Sequence, residues 1–134
     1  MFPDSYRPVS VKKLFAIASI FICLAVPARA QSEAPAPFDG DLARLGEILG
    51  ALHYLRAVCG ANDGARWRNE MQALIDAEAP SGDRRRKIVA SFNRGYRGFQ
   101  QTYRTCTPAA DIAIRRYLDE GAKIARDITA RYAN

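Results

Sequence analysis

Apolar residues recur every three or four positions through most of the chain after residue 38, a period typical of amphipathic helices. The recurrence falls into four segments, separated by breaks that contain glycine or proline. The first segment has its apolar positions at Leu42, Leu45, Ile48, Leu49, Leu52, Leu55 and Val58. No segment alternates strictly between apolar and polar residues, so no β-strand is predicted. The expected fold class is all-α, a small four-helix bundle.

The first two predicted helices are bounded by residues that favour helix ends. Asp39 or Asp41 is expected to cap the first helix, and Gly60, after Cys59, is expected to stop it. A turn over residues 62–64 then precedes a second, shorter helix, which ends before a proline because the residue ahead of a proline avoids helical geometry. The apolar stripe of this second helix is Trp67, Met71, Leu74 and Ile75.

The third and fourth predicted helices are longer. The third begins at residues 81–83 and carries the stripe Ile88, Val89, Phe92, Tyr96, Phe99 and Tyr103. The fourth begins with Thr107 as N-cap and Pro108 at the first helical position, where a missing N–H costs nothing. Its inward positions are Ile114, Tyr117, Leu118, Ile124, Ile128 and Tyr132. Short connections between four helices favour an antiparallel up-down bundle.

Residues 1–30 have the three parts of a cleavable secretory signal peptide. Basic residues precede an uncharged apolar run over 14–26, and an A-x-A site predicts cleavage after Ala30. An uncleaved anchor is the alternative, but a spanning helix needs about 20 apolar residues. Residues 31–38 are expected to form a flexible linker and residues 39–134 the helical domain. The protein is therefore expected in the periplasm or outside the cell, with no stable membrane span after cleavage.

The cysteines that remain after cleavage, Cys59 and Cys106, predict one disulfide, because exported chains with an even number of cysteines usually pair them. A structural zinc site would need further ligands, and a redox centre would be expected to show a C-x-x-C motif. In an up-down bundle the ends of the first and third helices lie at the same end of the molecule. The predicted disulfide is therefore compatible with the predicted topology.

A run of cations, Arg84–Lys87, falls in the first turn of the third helix, where the helix dipole disfavours positive charge. One interpretation is an anion or partner surface that combines this run with Asn93, Arg94 and Arg97. The other is a solvated face balanced by nearby acids. Removing residues 1–30 reduces the formal charge from +6 to +3, and together with export this argues against a nucleic-acid partner.

Evidence for an enzyme is weak in the sequence. His53, at the edge of the first helical stripe, and Glu120, beside Asp119, are the candidate acid–base residues. A packed histidine and solvated carboxylates are the simpler interpretation. No phosphate loop, dinucleotide fingerprint or H-E-x-x-H motif is found, so neither a cofactor nor a metal site is predicted.

Five glycines fall inside the predicted helices, where each costs about 1 kcal/mol relative to alanine. They are Gly46, Gly50, Gly95, Gly98 and Gly121. Either helices approach one another closely at these positions or a ligand does. Close helix packing is the preferred interpretation.

Several segments resemble a family of small uncharacterised exported proteins of alphaproteobacteria. The resemblance rests on Leu45–Gly60, Trp67, Ser91–Thr107 and Tyr117–Tyr132, with the most specific matches at residues 53–56 and 93–97. It implies a domain of unknown function with a disulfide between the two separated cysteines, and it assigns no catalytic residue. The expected function is a non-enzymatic binding or structural module for an envelope protein or anionic envelope component. The alternative is a small hydrolase or transferase that acts on cell-wall or lipid substrates.

Overall fold

The computed structural model describes residues 34–79 and 82–133, which contain four α-helices and no strand. The helices are α1 (Asp39–Val58), α2 (Gly64–Glu78), α3 (Gly82–Thr102) and α4 (Pro108–Tyr132). The all-α, four-helix prediction is confirmed. No helix in these two ranges is both long and apolar enough to cross a membrane. The predicted signal peptide and its cleavage after Ala30 lie outside the described residues.

Helix α1 lies at the centre, and each of the other three helices packs against it. Its buried residues do not form a single stripe, because partners approach from several sides. They are Leu42, Gly46, Ile48, Leu49, Gly50, Ala51, Leu52 and Leu55. The core is completed mainly by Trp67, Met71, Ile75, Ala79, Ile88, Ala110 and Ile114. The bundle is therefore one wrapped helix with three partners rather than four equivalent helices.

The order of contacts along α1 gives the directions of α3 and α4. Toward α3, Gly46 faces Ile88 and Gly50 faces Phe92, so α1 and α3 run parallel. Toward α4, Ile48 lies against Gly121, whereas Phe38, just before α1, contacts Tyr132 near the end of α4. Helix α4 therefore runs antiparallel to α1, as an up-down topology requires.

The disulfide forms between Cys59, just after α1, and Cys106, in the connection between α3 and α4. Their Cα atoms are 4.6 Å apart, within the range of ordinary disulfides. The parallel course of α1 and α3 brings both cysteines to the same end of the molecule. The predicted pairing is confirmed.

The aromatic stripe predicted for α3 flanks the core rather than forming its centre. The fully buried residues of α3 are Ile88, Ser91 and Gly95, while Phe92 and Phe99 are half-buried against the core. Two small residues on the contact line let the backbones of α1 and α3 come close. The aromatic rings therefore lie to the sides of that line.

Four of the five helical glycines have a packing reason. A Cβ on Gly95 would lie 2.9 Å from the carbonyl carbon of Glu47, and one on Gly46 would lie 3.0 Å from the carbonyl oxygen of Ile88. A Cβ on Gly50 would meet the Phe92 backbone of α3, and one on Gly121 would lie 3.2 Å from the Ile48 Cγ2 atom of α1. Around Gly98 nothing lies within 4 Å of a Cβ. Close helix packing, the preferred interpretation, is confirmed for all but Gly98.

Two predicted helix ends are confirmed. The Thr107 side chain accepts a hydrogen bond from the Ala110 N–H at 3.1 Å, with Pro108 in the first turn of α4. Gly60 has φ of +80°, the left-handed conformation that favours glycine after a helix.

The predicted aspartate cap of α1 is wrong. Phe38 occupies the N-cap position without a side-chain cap, and Asp39 begins the helix itself. The Asp39 carboxylate instead accepts a hydrogen bond from the Ala36 N–H at 2.8 Å and one from Arg84. Because Phe38 also contacts the Tyr132 ring at 5.0 Å, the packed structure reaches back into the segment predicted as linker.

Candidate functional site

Helix α3 carries most of the excess positive charge. Its sequence contains six basic residues and one acidic residue, whereas each of the other helices is within one unit of neutrality. Arg86, Asn93 and Arg97 are all exposed. With about 100° per residue, they lie within roughly 20° of one line along the helix. We call the surface along this line the outward face of α3.

Arg84, the first cation of the predicted surface, points toward α1 instead. Its side chain is 16% exposed, and its Nε donates to Asp39 Oδ1 at 2.7 Å. Its guanidinium lies 5.8 Å from the centre of the Phe38 ring. Burial raises the pKa of Asp39, but hydrogen bonds from Ala36 and Arg84 outweigh this effect and hold the pKa below its ordinary value. Arg84 therefore ties the N-terminal end of α3 to that of α1.

Two further cations have acidic partners but remain largely exposed. Arg86 forms an ion pair with Asp83 one turn earlier, and its side chain is 74% exposed. Arg94, 62% exposed, lies 3.4 Å from Glu47 of α1 and donates to Ser91 Oγ at 3.0 Å. Surface pairs of this kind are weak, so both cations remain available to an outside anion.

Arg85, Lys87 and Arg97 form no ion pair with any residue in the described ranges. Lys87 lines a groove of about 220 Å³ between the N-terminal ends of α1 and α3. The carboxylates of Asp39 and Asp83 line the same groove, so the positive charge there is offset.

The predicted cations do not converge on one point. Arg84 and Arg97 are thirteen residues apart, about 20 Å along a helix axis. Arg104 lies beyond the end of α3 at Thr102 and does not extend this row of cations. What α3 presents is an extended basic face.

His53 is half-buried on α1, between α2 and α3. Its ring centre lies 6.0 Å from that of Phe92 and 5.6 Å from that of Tyr96. Gly64, at the start of α2, covers its other side. Its Nδ1 atom is buried and has no hydrogen-bond partner among the described residues. The imidazole is thus a packed ring at the junction of three helices.

Glu120, the other candidate acid–base residue, is held by Arg44 of α1. The Arg44 Nε and Nη2 atoms donate to the two Glu120 oxygens at 2.7 and 3.0 Å. This hydrogen bonding lowers the pKa of Glu120 and raises the pKa of Arg44. Glu120 therefore stays ionised, as an ion-pair partner rather than a proton donor.

The two candidate acid–base residues are not brought together. Arg44 and His53 are nine residues apart on α1, which places them about 180° apart around the helix. Glu120, bound to Arg44, therefore lies on the side of α1 opposite His53. Asn93 is exposed on α3 and Asp119 on α4. These residues line no common cleft, so the geometry lends the hydrolase alternative no support.

Sequence reasoning missed the ion-pair chain that links three helices. Glu120 binds Arg44, Arg44 also binds Glu47 at 3.1 Å, and Glu47 approaches Arg94 of α3. The spacing of Arg44 and Glu47, three residues apart on one helix, was a local signal for the central pair. Nothing in the sequence spacing indicated that Glu120 and Arg94 would join it.

Residues 37–132 match the family described as Protein of unknown function (DUF2385). The chain belongs to this family. The match begins just before Phe38 and ends at Tyr132, so it contains the whole packed helical domain, including Cys59 and Cys106. Neither a curated protein nor a solved structure matches the chain.

Membership of the DUF2385 family confirms the resemblance as far as a domain of unknown function. The family description names no activity and no ligand.

Proposed function

We propose that this protein is an exported, non-enzymatic module that binds an anionic component of the cell envelope through the outward face of α3. The observation that carries the proposal is the row of exposed residues Arg86, Asn93 and Arg97 on a helix with six basic residues and one acidic residue. None of the other three helices in the described part of the chain has such an imbalance.

The opposite side of α3 supports this role, because it fixes the helix in place. Arg84 binds Asp39, and Gly95 packs against the α1 backbone. Little freedom is left for the helix to roll about its axis. The outward cations are therefore held on one side, and fewer degrees of freedom have to be ordered on binding.

Export is supported by the signal-peptide pattern of residues 1–30 and is compatible with the Cys59–Cys106 disulfide. In the periplasm, the accessible anions include lipid phosphates, cell-wall carboxylates and acidic proteins. Arginine suits all of them, because its planar guanidinium binds carboxylate and phosphate in a bidentate manner.

The test uses the mature protein, produced by secretion from the full-length chain. Mass spectrometry of its N-terminus also checks cleavage after Ala30. Binding is measured to polyglutamate beads and to vesicles with and without anionic lipid. The double variant Arg86→Gln/Arg97→Gln is compared with Arg66→Gln/Arg68→Gln, which removes two exposed cations from α2.

With about 1 kcal/mol per cation near an anionic surface, the α3 variant should lose about 30-fold in affinity for whichever anionic probe binds the protein. The α2 variant should lose less than about fivefold. Equal losses in the two variants, or no binding to any anionic probe, would reject the proposed function.

A further inference from the structure

We infer that the anionic component is a phosphate-bearing lipid surface, along which α3 lies with its outward face in contact. This inference rests on the proposed function and narrows its partner to one class.

The spacing of the cations excludes a small ion as the main ligand. Arg86 and Arg97 are eleven residues apart, about 16 Å along the helix. Both are exposed, and Arg94 and Lys87 lie along the same helix at other heights. No single phosphate or carboxylate can contact cations so far apart. A partner with anionic groups repeated over at least this length is required.

The outward face lacks the apolar centre that protein partners use. Among the described residues, the exposed large hydrophobic side chains are Ile112, Leu118 and Tyr132, and all three lie on α4. The exposed residues nearest this face between Arg86 and Arg97 are Ala90 and Asn93, and the exposed Gln100 and Gln101 follow Arg97 on the same helix. Protein interfaces usually centre on aromatic or apolar anchors, with charge at the rim. A face of cations separated by small or polar residues fits the hydrated headgroup layer of a membrane better than it fits a protein partner.

The same composition argues against single-stranded nucleic acid, whose bases stack on aromatic side chains. The half-buried aromatic rings of α3 are committed to other contacts. Tyr96 packs on His53 and Tyr54, and Phe99 packs on Tyr103 and Tyr117. None of these rings is available on the outward face.

A lipid phosphate is favoured over a polymer carboxylate because a bilayer presents many anionic groups close together, and not because its phosphate fits arginine better. Each lipid in an anionic bilayer presents its phosphate at a nearly common depth, so a straight helix meets many at once. A flexible carboxylate polymer must be ordered along α3 before it makes the same contacts, and this ordering costs conformational entropy. At equal concentration of charge, the bilayer should therefore bind more tightly.

A substitution at the exposed Ala90 tests the orientation while leaving every cation of α3 in place. Ala90 is exposed on α3 between the two outward arginines, and Ala73 is exposed on α2. Ala90→Glu adds a negative charge to the outward face, and Ala73→Glu adds the same charge elsewhere. Both alanines lie in helix interiors, so the cost in helix propensity is matched.

The experiment measures binding of the mature protein to vesicles of phosphatidylglycerol with phosphatidylcholine and to vesicles of phosphatidylcholine alone. Polyglutamate at the same charge concentration is the carboxylate probe, and inorganic phosphate at constant ionic strength is the free-ion probe. Of the two vesicle types, we expect binding only to the anionic one, weakened about fivefold by Ala90→Glu and unchanged by Ala73→Glu. Polyglutamate should bind at least about tenfold more weakly, because its chain has to be ordered.

Three outcomes overturn the lipid inference while leaving the proposed function standing. The first is polyglutamate binding as tight as vesicle binding, and the second is displacement of the protein from vesicles by millimolar inorganic phosphate. The third is an equal effect of Ala90→Glu and Ala73→Glu on vesicle binding, while Arg86→Gln/Arg97→Gln still weakens binding to polyglutamate. The absence of binding to every anionic probe, by contrast, rejects the proposed function itself.

Discussion

Gly50 of α1 and Phe92 of α3 bring two helix backbones into direct contact. A Cβ on Gly50 would lie 2.8 Å from the carbonyl carbon of Phe92 and would overlap its carbonyl oxygen. Since the obstacle is backbone, it cannot move aside as a flexible side chain could. The two helices can pack this way only with glycine at that position.

Gly50→Ala should therefore destabilise the protein even though alanine is the better helix former. Forcing the helices apart should cost more than the roughly 1 kcal/mol gained in propensity, for a net loss of about 2 kcal/mol in the free energy of unfolding. Gly98→Ala is the matched control, because nothing lies within 4 Å of its Cβ. It should stabilise the protein by about 0.5–1 kcal/mol. Urea unfolding followed by circular dichroism measures both, and equal effects would contradict the packing described.

Removal of the disulfide should lower stability without changing the fold. Cys59 and Cys106 are 47 residues apart, so reduction frees a long loop in the unfolded chain. The variant Cys59→Ser/Cys106→Ser should lose about 2–4 kcal/mol in the free energy of unfolding. The native protein treated with a reducing agent should unfold at the same urea concentration as the variant. An unchanged midpoint after reduction would show that the bridge adds no stability.

Acid should destabilise the protein over a pH range that is set by the pKa values of its paired carboxylates. Hydrogen bonds from Arg56 lower the pKa of Asp63, and those from Arg44 lower the pKa of Glu120. The pKa of Asp39 is also below its ordinary value. Their ordinary pKa values are 3.8 for aspartate and 4.5 for glutamate. Near these values the unfolded state binds more protons than the folded state, so the free energy of unfolding decreases as pH falls. Stability should be nearly constant above about pH 6 and decline below about pH 5.

The contribution of one carboxylate to this decline can be isolated. Glu120→Gln should flatten the fall in stability below about pH 5, because the lowered pKa of Glu120 no longer contributes. Asp119→Asn, which removes the neighbouring exposed carboxylate, is the control. If both variants follow the native pH profile, the Arg44–Glu120 pair does not stabilise the fold.

Arg84 and Arg86 should differ in their effect on stability although they are two residues apart. Arg84 is 16% exposed, bonds Asp39 and covers Phe38, so Arg84→Gln should cost about 1 kcal/mol in the free energy of unfolding. Arg86 is 74% exposed and forms its ion pair with Asp83 of its own helix, so Arg86→Gln should change stability by less than about 0.5 kcal/mol. Thermal unfolding of the two variants measures the difference. If Arg86→Gln lost more stability than Arg84→Gln, Arg84 would not be the residue that links α1 and α3.

Much of the fold could be predicted because its signals are local. The apolar period, the glycine after Cys59 and the Thr107–Pro108 start each act within one or two helical turns. The disulfide was predictable from the cysteine count and the expected compartment. The local apolar period also predicts where each helix lies. The exact helix ends are harder to predict, as the wrong cap at Asp39 shows.

The candidate site was less predictable, because it depends on which side of each helix faces a neighbour. The run Arg84–Lys87 reads as one cluster of charge, yet α3 turns Arg84 toward α1 and Arg86 outward. Glu120 reads as a free carboxylate, but Arg44 lies 76 residues away in sequence and next to it in space. Such partners depend on helix rotation and pairing, and no local spacing encodes them.

By itself the sequence determined that the described part of the chain forms four helices, that two cysteines pair, and that α3 is basic. Only the tertiary structure decided that α1 is the central helix and that glycines, rather than aromatic rings, form the line of contact with α3. The physical reason is that periodicity specifies which residues share a face, whereas the distance between two helix axes depends on the side chains of both. At Gly50 and Gly95 the backbones of α1 and α3 touch, and this contact sets the distance between the two helices. The side of α3 that faces α1 is therefore covered, and its outward side is the one open to a partner.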